Sequence, residues 1–88
     1  MAWTLEYTRS ARKAVDKLDL QSSERIKQFL RSRLALHPNP RELGKALNGP
    51  LAHLWSYRVG DFRIICDIQD RKLVILMVTV GNRRDVYK

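Results

Sequence analysis

The stretch LWSYRVGDFRIICDIQDRKLVILMVTV, residues 54–80, contains three runs suited to extended chain, separated by two short polar breaks. Gly60-Asp61 lies between LWSYRV and FRIICDI, and Asp70-Arg71 comes before KLVILMVTV. Pairs of turn formers between such runs predict three antiparallel strands joined as a meander. The last run is apolar on both faces, which suits a strand inside the sheet and not at its edge. In FRIICDI the side chains alternate. Phe62, Ile64, Cys66 and Ile68 share one face, and Arg63, Ile65 and Asp67 share the other.

Toward the N-terminus, Trp3, Leu5 and Tyr7 alternate with Thr4 and Glu6, the pattern of a short half-buried strand. Thr8 is placed to cap a helix in which Ala11, Ala14, Val15 and Leu18 form the apolar stripe. Asp19 or Ser22 is placed to cap a second helix, with Ile26, Phe29, Leu30 and Leu34 facing the core. HPNPRELGKALNGP, residues 37–50, holds all three prolines and reads as a loop, with short helical structure around Leu43 to Leu47. The expected fold is α+β: a small twisted, mainly antiparallel sheet with two N-terminal helices packed on one face. At 88 residues the chain has material for one core, so a single domain over residues 1–88 is expected.

Lys and Arg number 17 against 9 Asp and Glu, a net charge of +8. Such basicity bears on partners and association rates more than on fold, and RNA or DNA leads the candidates. No apolar run approaches the ~20 residues of a spanning helix, so no membrane partner is expected. The opening MAWTLEYTRS lacks the basic-then-apolar order of a signal peptide, and the single cysteine, Cys66, cannot form an internal disulfide. Both point to the cytoplasm.

Cys66 falls on the helix-facing side of its strand and reads as an inert core thiol. His37 and His53 are the acid–base candidates of a ribonuclease, but their spacing does not join them, and solvated loop histidines fit better. No Cys/His cluster has metal-ligand spacing and no glycine-rich phosphate loop is present, so no metal or cofactor is expected. The basic set remains: Arg58, Arg63, and Arg83, Arg84 and Tyr87 in VGNRRDVYK. Neighbouring meander strands bring such residues to one sheet face. That set is either a solvated basic surface or a site for cleaving RNA. Guanidinium groups bind phosphate in a bidentate manner and keep their charge, and Tyr87, with a reference pKa near ~10, needs cationic neighbours to accept a proton.

Three segments, AWTLEYTRSARKAVDKL, LNGPLAHLWSYRVGDFRIICDI and VILMVTVGNRRDVYK, resemble the RelE toxins of the RelE/ParE superfamily. The resemblance implies a ribosome-dependent endoribonuclease that cuts mRNA in the A site. It assigns Arg63 to the transition state and the leaving group, matches a further catalytic arginine to Arg83, and assigns Tyr87 to the 2′-OH. Arg58 matches a basic residue of the first meander strand, while a family lysine two positions earlier appears here as Ser56. Arg84, Lys88, Ser56 and Arg33 are assigned to RNA binding. The resemblance also implies a cognate RelB-like antitoxin, the 70S ribosome with its mRNA as target, and operator DNA contacted only through the antitoxin complex. Two rival readings stand beside it: a ParE-type DNA gyrase poison, and an inactive domain that binds nucleic acid or antitoxin.

Overall fold

The computed structural model describes residues 2–82. In chain order its elements are β1 (Thr4–Tyr7), α1 (Arg9–Asp16), α2 (Leu20–Phe29), β2 (Lys45–Ala46), β3 (Trp55–Val59), β4 (Phe62–Gln69) and β5 (Val74–Asn82). Among the described residues the strands form one sheet in the order β1-β5-β4-β3-β2. The meander β3-β4-β5 is antiparallel, as is β2 against β3, whereas β1 runs parallel to β5. The long apolar strand β5 is interior, as its two-faced apolarity predicts. No helix among the described residues is long and apolar enough to cross a membrane.

Both helix caps follow the sequence. The Thr8 hydroxyl accepts the Ala11 N–H at 3.1 Å, and the Asp19 carboxylate accepts the Ser22 N–H at 3.1 Å. Ala11 and Val15 of α1 and Ile26 of α2 are buried with Leu30 and Leu34 against Tyr57, Ile64, Cys66, Ile68, Ile75, Met77 and Val80. All of these strand residues lie on one face, which fixes the helices to that side. Beyond Phe29 the helix widens into a π turn over Leu30–Leu34, closed by the Ala35 N–H donating to the Leu30 carbonyl. The widened turn buries Leu34 and Ala35 together, and the Ala35 carbonyl accepts the Trp3 N–H at 2.7 Å just ahead of β1.

The structure departs from the sequence reading in three local ways. Short helical structure does not fall at Leu43 to Leu47. A 3-10 turn occupies Pro40–Leu43, and Lys45–Ala46 is instead a fifth strand on the edge of β3. The tight turn at Asp70-Arg71 is a four-residue connection, residues 70–73, and β5 begins at Val74. There Leu73 adopts φ 53°, in the left-handed region, and its carbonyl accepts the Thr4 N–H at 2.8 Å, starting the β1 pairing. The Gly60-Asp61 turn is as expected, with Gly60 at φ 59°.

The third departure is a bulge. Ile65 pairs with Thr79 but Cys66 pairs with Met77, leaving Val78 as an extra residue on β5. The Thr8 hydroxyl donates to the Val78 carbonyl at 2.8 Å, and the Thr8 N–H donates to the Met77 carbonyl at 3.0 Å. One side chain thus caps α1 and satisfies the backbone that the bulge disturbs. Thr8→Ala is expected to lower unfolding free energy by about 2 kcal/mol, combining a lost cap and an unmet carbonyl. Thr8→Ser, which keeps the hydroxyl, is expected to stay within about 0.5 kcal/mol of the wild type. Denaturant titration of both variants checks this.

Candidate functional site on the outer sheet face

The face of the sheet away from the helices is ordered by register. Arg58 pairs with Arg63, and Arg63 with Gly81, making one row across β3, β4 and β5. The adjacent row runs Lys45, Ser56, Ile65, Thr79 across β2 to β5. Directly paired residues of antiparallel strands project to the same side with Cβ atoms roughly 4.5–5.5 Å apart. Arg58, Arg63, Ser56 and Lys45 therefore share one face. Gly81 has no side chain, so β5 puts only backbone opposite Arg63.

Arg63 is half-buried, and its Nη1 donates to the Ser56 Oγ at 3.2 Å. Ser56 is 4 % exposed, so its hydroxyl forms part of the floor beneath the guanidinium. Arg58 is exposed. The described residues of these two rows carry three cations and no carboxylate. Acidic groups of the same face stand in the row beyond, where Glu6 and Asp67 both flank Leu76, and Asp67 accepts a bond from Gln69 Nε2 at 3.1 Å.

Arg58 also lines a shallow cleft of about 310 Å³ with Arg25, Gln28, Phe29, Arg33, Val59 and Gly60. Arg33 and Arg58 thus line one cleft, with the Arg33 guanidinium 5.9 Å from the centre of the Phe29 ring. The expected site residues Arg83, Arg84, Tyr87 and Lys88 lie outside the described residues. His37 and His53 lie in loops, outside the strand rows that carry Arg58 and Arg63. His37 Nδ1 accepts the Asn39 N–H at 3.0 Å, and His53 is exposed ahead of β3. Cys66 is buried on the helix-facing side, and burial pushes its thiol pKa up.

Lys45 is the described cation of these two rows that sequence pattern missed. Three contacts deliver it there. The Tyr57 hydroxyl donates to the Pro40 carbonyl at 2.8 Å, and Arg41 forms a two-pronged pair with Asp70 at 2.9 and 2.6 Å. Gly44 comes so close to β3 that a Cβ would stand 2.7 Å from the Tyr57 ring and 2.8 Å from the Ser56 carbonyl. The tight spacing, not backbone strain, makes glycine necessary, because Gly44 has φ −131°. The signal in the sequence is this glycine directly before a lysine, which becomes legible only once Tyr57 is known to be its neighbour.

Gly44→Ala is expected to cost about 1–3 kcal/mol and to loosen the Lys45–Ala46 pairing, read as faster amide exchange at these two residues. Iodoacetamide is expected to leave Cys66 unmodified in the native protein and to alkylate it rapidly after unfolding, as mass spectrometry would show.

The family described as "ParE toxin of type II toxin-antitoxin system, parDE" matches residues 5–87. Toxin RelG of Mycobacterium tuberculosis is 28 % identical over 88 residues, spanning all of this chain and 99 % of that protein. A chain of the toxin–antitoxin complex RelBE2 from the same organism superposes with a TM-score of 0.86 at 27 % identity, covering 97 % of this chain and 95 % of that one. A chain of the archaeal RelE–RelB complex from Pyrococcus horikoshii gives 0.73 at 26 % identity, covering 98 % and 100 %. The match of the family over nearly the whole chain, on a fold shared with these toxins, makes this protein a member of the ParE toxin family within the RelE/ParE superfamily, a toxin of the type II toxin–antitoxin class.

Proposed function

We propose that the toxin is a ribosome-dependent endoribonuclease that cuts mRNA in the A site and so stops translation. The observation that carries this reading is Arg63, held in the sheet face with Arg58 paired beside it and its Nη1 on the Ser56 hydroxyl. Phosphodiester cleavage gains from a guanidinium fixed in this way, because negative charge grows on the phosphate oxygens during attack.

In the proposed reaction a ribose 2′-oxygen attacks the adjacent phosphorus. The O2′–P bond forms and the P–O5′ bond breaks, leaving a 2′,3′-cyclic phosphate and a free 5′-hydroxyl. One proton leaves the 2′-OH and one reaches the departing 5′-oxygen. Charge grows on the non-bridging oxygens, and fixed arginines at that place lower the barrier without reorganising. Arg63 takes this role with Arg58 in support, and Arg83 adds charge from beyond β5. Tyr87 orients and deprotonates the 2′-OH, and Arg63 gives the proton to the leaving group. Ser56 provides no charge where the resembling toxins have a lysine, so it acts by holding Arg63. Arg33, Arg84 and Lys88 bind the RNA backbone.

Such a site has few acid–base groups and depends on substrate positioning, which a ribosome holding the codon supplies. The same reading gives the toxin a cytoplasmic setting and a RelB-like antitoxin, whose acidic residues would complement the +8 charge. Two of the similar solved structures are toxin–antitoxin complexes, RelBE2 and RelE–RelB, which supports that partner. Operator DNA is reached only through the complex. The family's name favours one other reading, a ParE-type poison of DNA gyrase.

Primer extension on a defined mRNA separates the two. Purified toxin is expected to cut at A-site codons only when programmed ribosomes are present. Arg63→Ala is expected to slow cutting by about 10²–10³-fold with an unchanged melting temperature. Tyr87→Phe is expected to abolish growth arrest in cells. Absence of cutting together with inhibited gyrase supercoiling would replace the nuclease reading, and cutting of free RNA would remove the ribosome from it.

A further inference from the structure

We infer that Lys45 is a substrate-contacting residue of this face, its ammonium binding a phosphate oxygen of the RNA on the side of Ser56 away from Arg63. This inference rests on the nuclease reading above. Its first support is register. Lys45 is the direct antiparallel partner of Ser56, so the two side chains start from neighbouring positions on one face. The second support is the Arg63–Ser56 hydrogen bond, which directs the guanidinium toward the same hydroxyl from β4. Lys45 and Arg63 therefore flank one buried serine from opposite strands.

Placement alone would mean little for an exposed lysine on a mobile loop, but Lys45 is held. The Tyr57–Pro40 hydrogen bond, the Arg41–Asp70 pair and the close fit of Gly44 on Tyr57 all anchor the segment that carries it. The charge of Lys45 is also available. Among the described carboxylates, Asp70 is engaged by Arg41 and Asp67 by Gln69, and Lys45 forms no ion pair with any of them. An ammonium is a compact charge on a flexible stem, suited to following a phosphate whose negative charge grows during attack. Ser56 gives the floor a hydrogen-bonding group without a charge, and Lys45 supplies the charge from the next strand.

The test is single-turnover cleavage of mRNA on programmed ribosomes by the wild type, Lys45→Ala, Lys45→Arg, Lys72→Ala and Arg63→Ala. Lys72 lies in the connection between β4 and β5, so its loss removes one positive charge from outside the strand rows that carry Lys45, Arg58 and Arg63. Lys45→Ala is expected to slow the cleavage step by about 10- to 100-fold with an unchanged melting temperature. Lys45→Arg should stay within about fivefold of the wild type, and Lys72→Ala should match it. Wild-type rates for Lys45→Ala beside an impaired Arg63→Ala would overturn the inference and leave the nuclease reading standing. Equal slowing by Lys45→Ala and Lys72→Ala would overturn it too, since bulk charge would then explain the effect. Equal loss in Lys45→Ala and Lys45→Arg would reject a role based on charge. A wild type that does not cut would remove the nuclease reading and this inference with it.

Discussion

The fold turns on the single extra residue at Val78. Side chains alternate along a strand with a period of two, so inserting one residue exchanges the faces of everything beyond it. Ile75 and Met77 point to the helices before the bulge, and Val80 returns to that side after it. Without the shift, Val80 would leave the core, and Gly81 would no longer stand opposite Arg63 on the outer face. The Thr8 hydroxyl binds the displaced strand at Val78 and starts α1 in the same stroke. Helix direction, core composition and the pairing of Gly81 with Arg63 are thus coupled through one threonine.

Much of this was legible in the sequence. The meander, the Gly60-Asp61 turn, the Thr8 cap and the core faces of both helices follow from short-range patterns that tertiary contacts reinforce. The likeness to RelE toxins, carried by three quoted segments, agrees with the family match over residues 5–87. What was hidden is tertiary in origin. LVILMVTV is apolar on both faces, and its single polar residue, Thr79, does not by itself mark where the alternation breaks. Strand β2 has two residues, too few for any period, and exists because Gly44 can approach Tyr57. The Asp70 connection is longer than its turn residues suggest, because Leu73 bends the chain to meet Thr4.

The outer face was readable in the same uneven way. Alternation alone put Arg63 opposite the core residues of its strand, and meander pairing brought Arg58 beside it. The register adds Ser56 as a buried hydrogen-bond acceptor and Lys45 as a neighbour from outside the meander. Net charge did not foretell this grouping. Arg41, equally basic, is neutralised by Asp70, whose carboxyl the Arg41 hydrogen bonds hold below the usual carboxylate range. Which cations share this face, and which described acids stand near them, is decided by strand order.

The sheet borders have a further effect on how the protein behaves in solution. Among the described residues its two edge strands are β1, with four residues, and β2, with two, while the eight- and nine-residue strands β4 and β5 are flanked on both sides. Long strands rich in Ile and Val are effective templates for adding further chains when their backbone groups are open. Here the segments with the greatest tendency to recruit another copy are shut inside the sheet, and the exposed borders are too short to seed a stacked assembly. One of those borders carries a lysine, whose charge repels a second copy of the same strand. The small strand that brings Lys45 to the face therefore also acts as a cap against self-association.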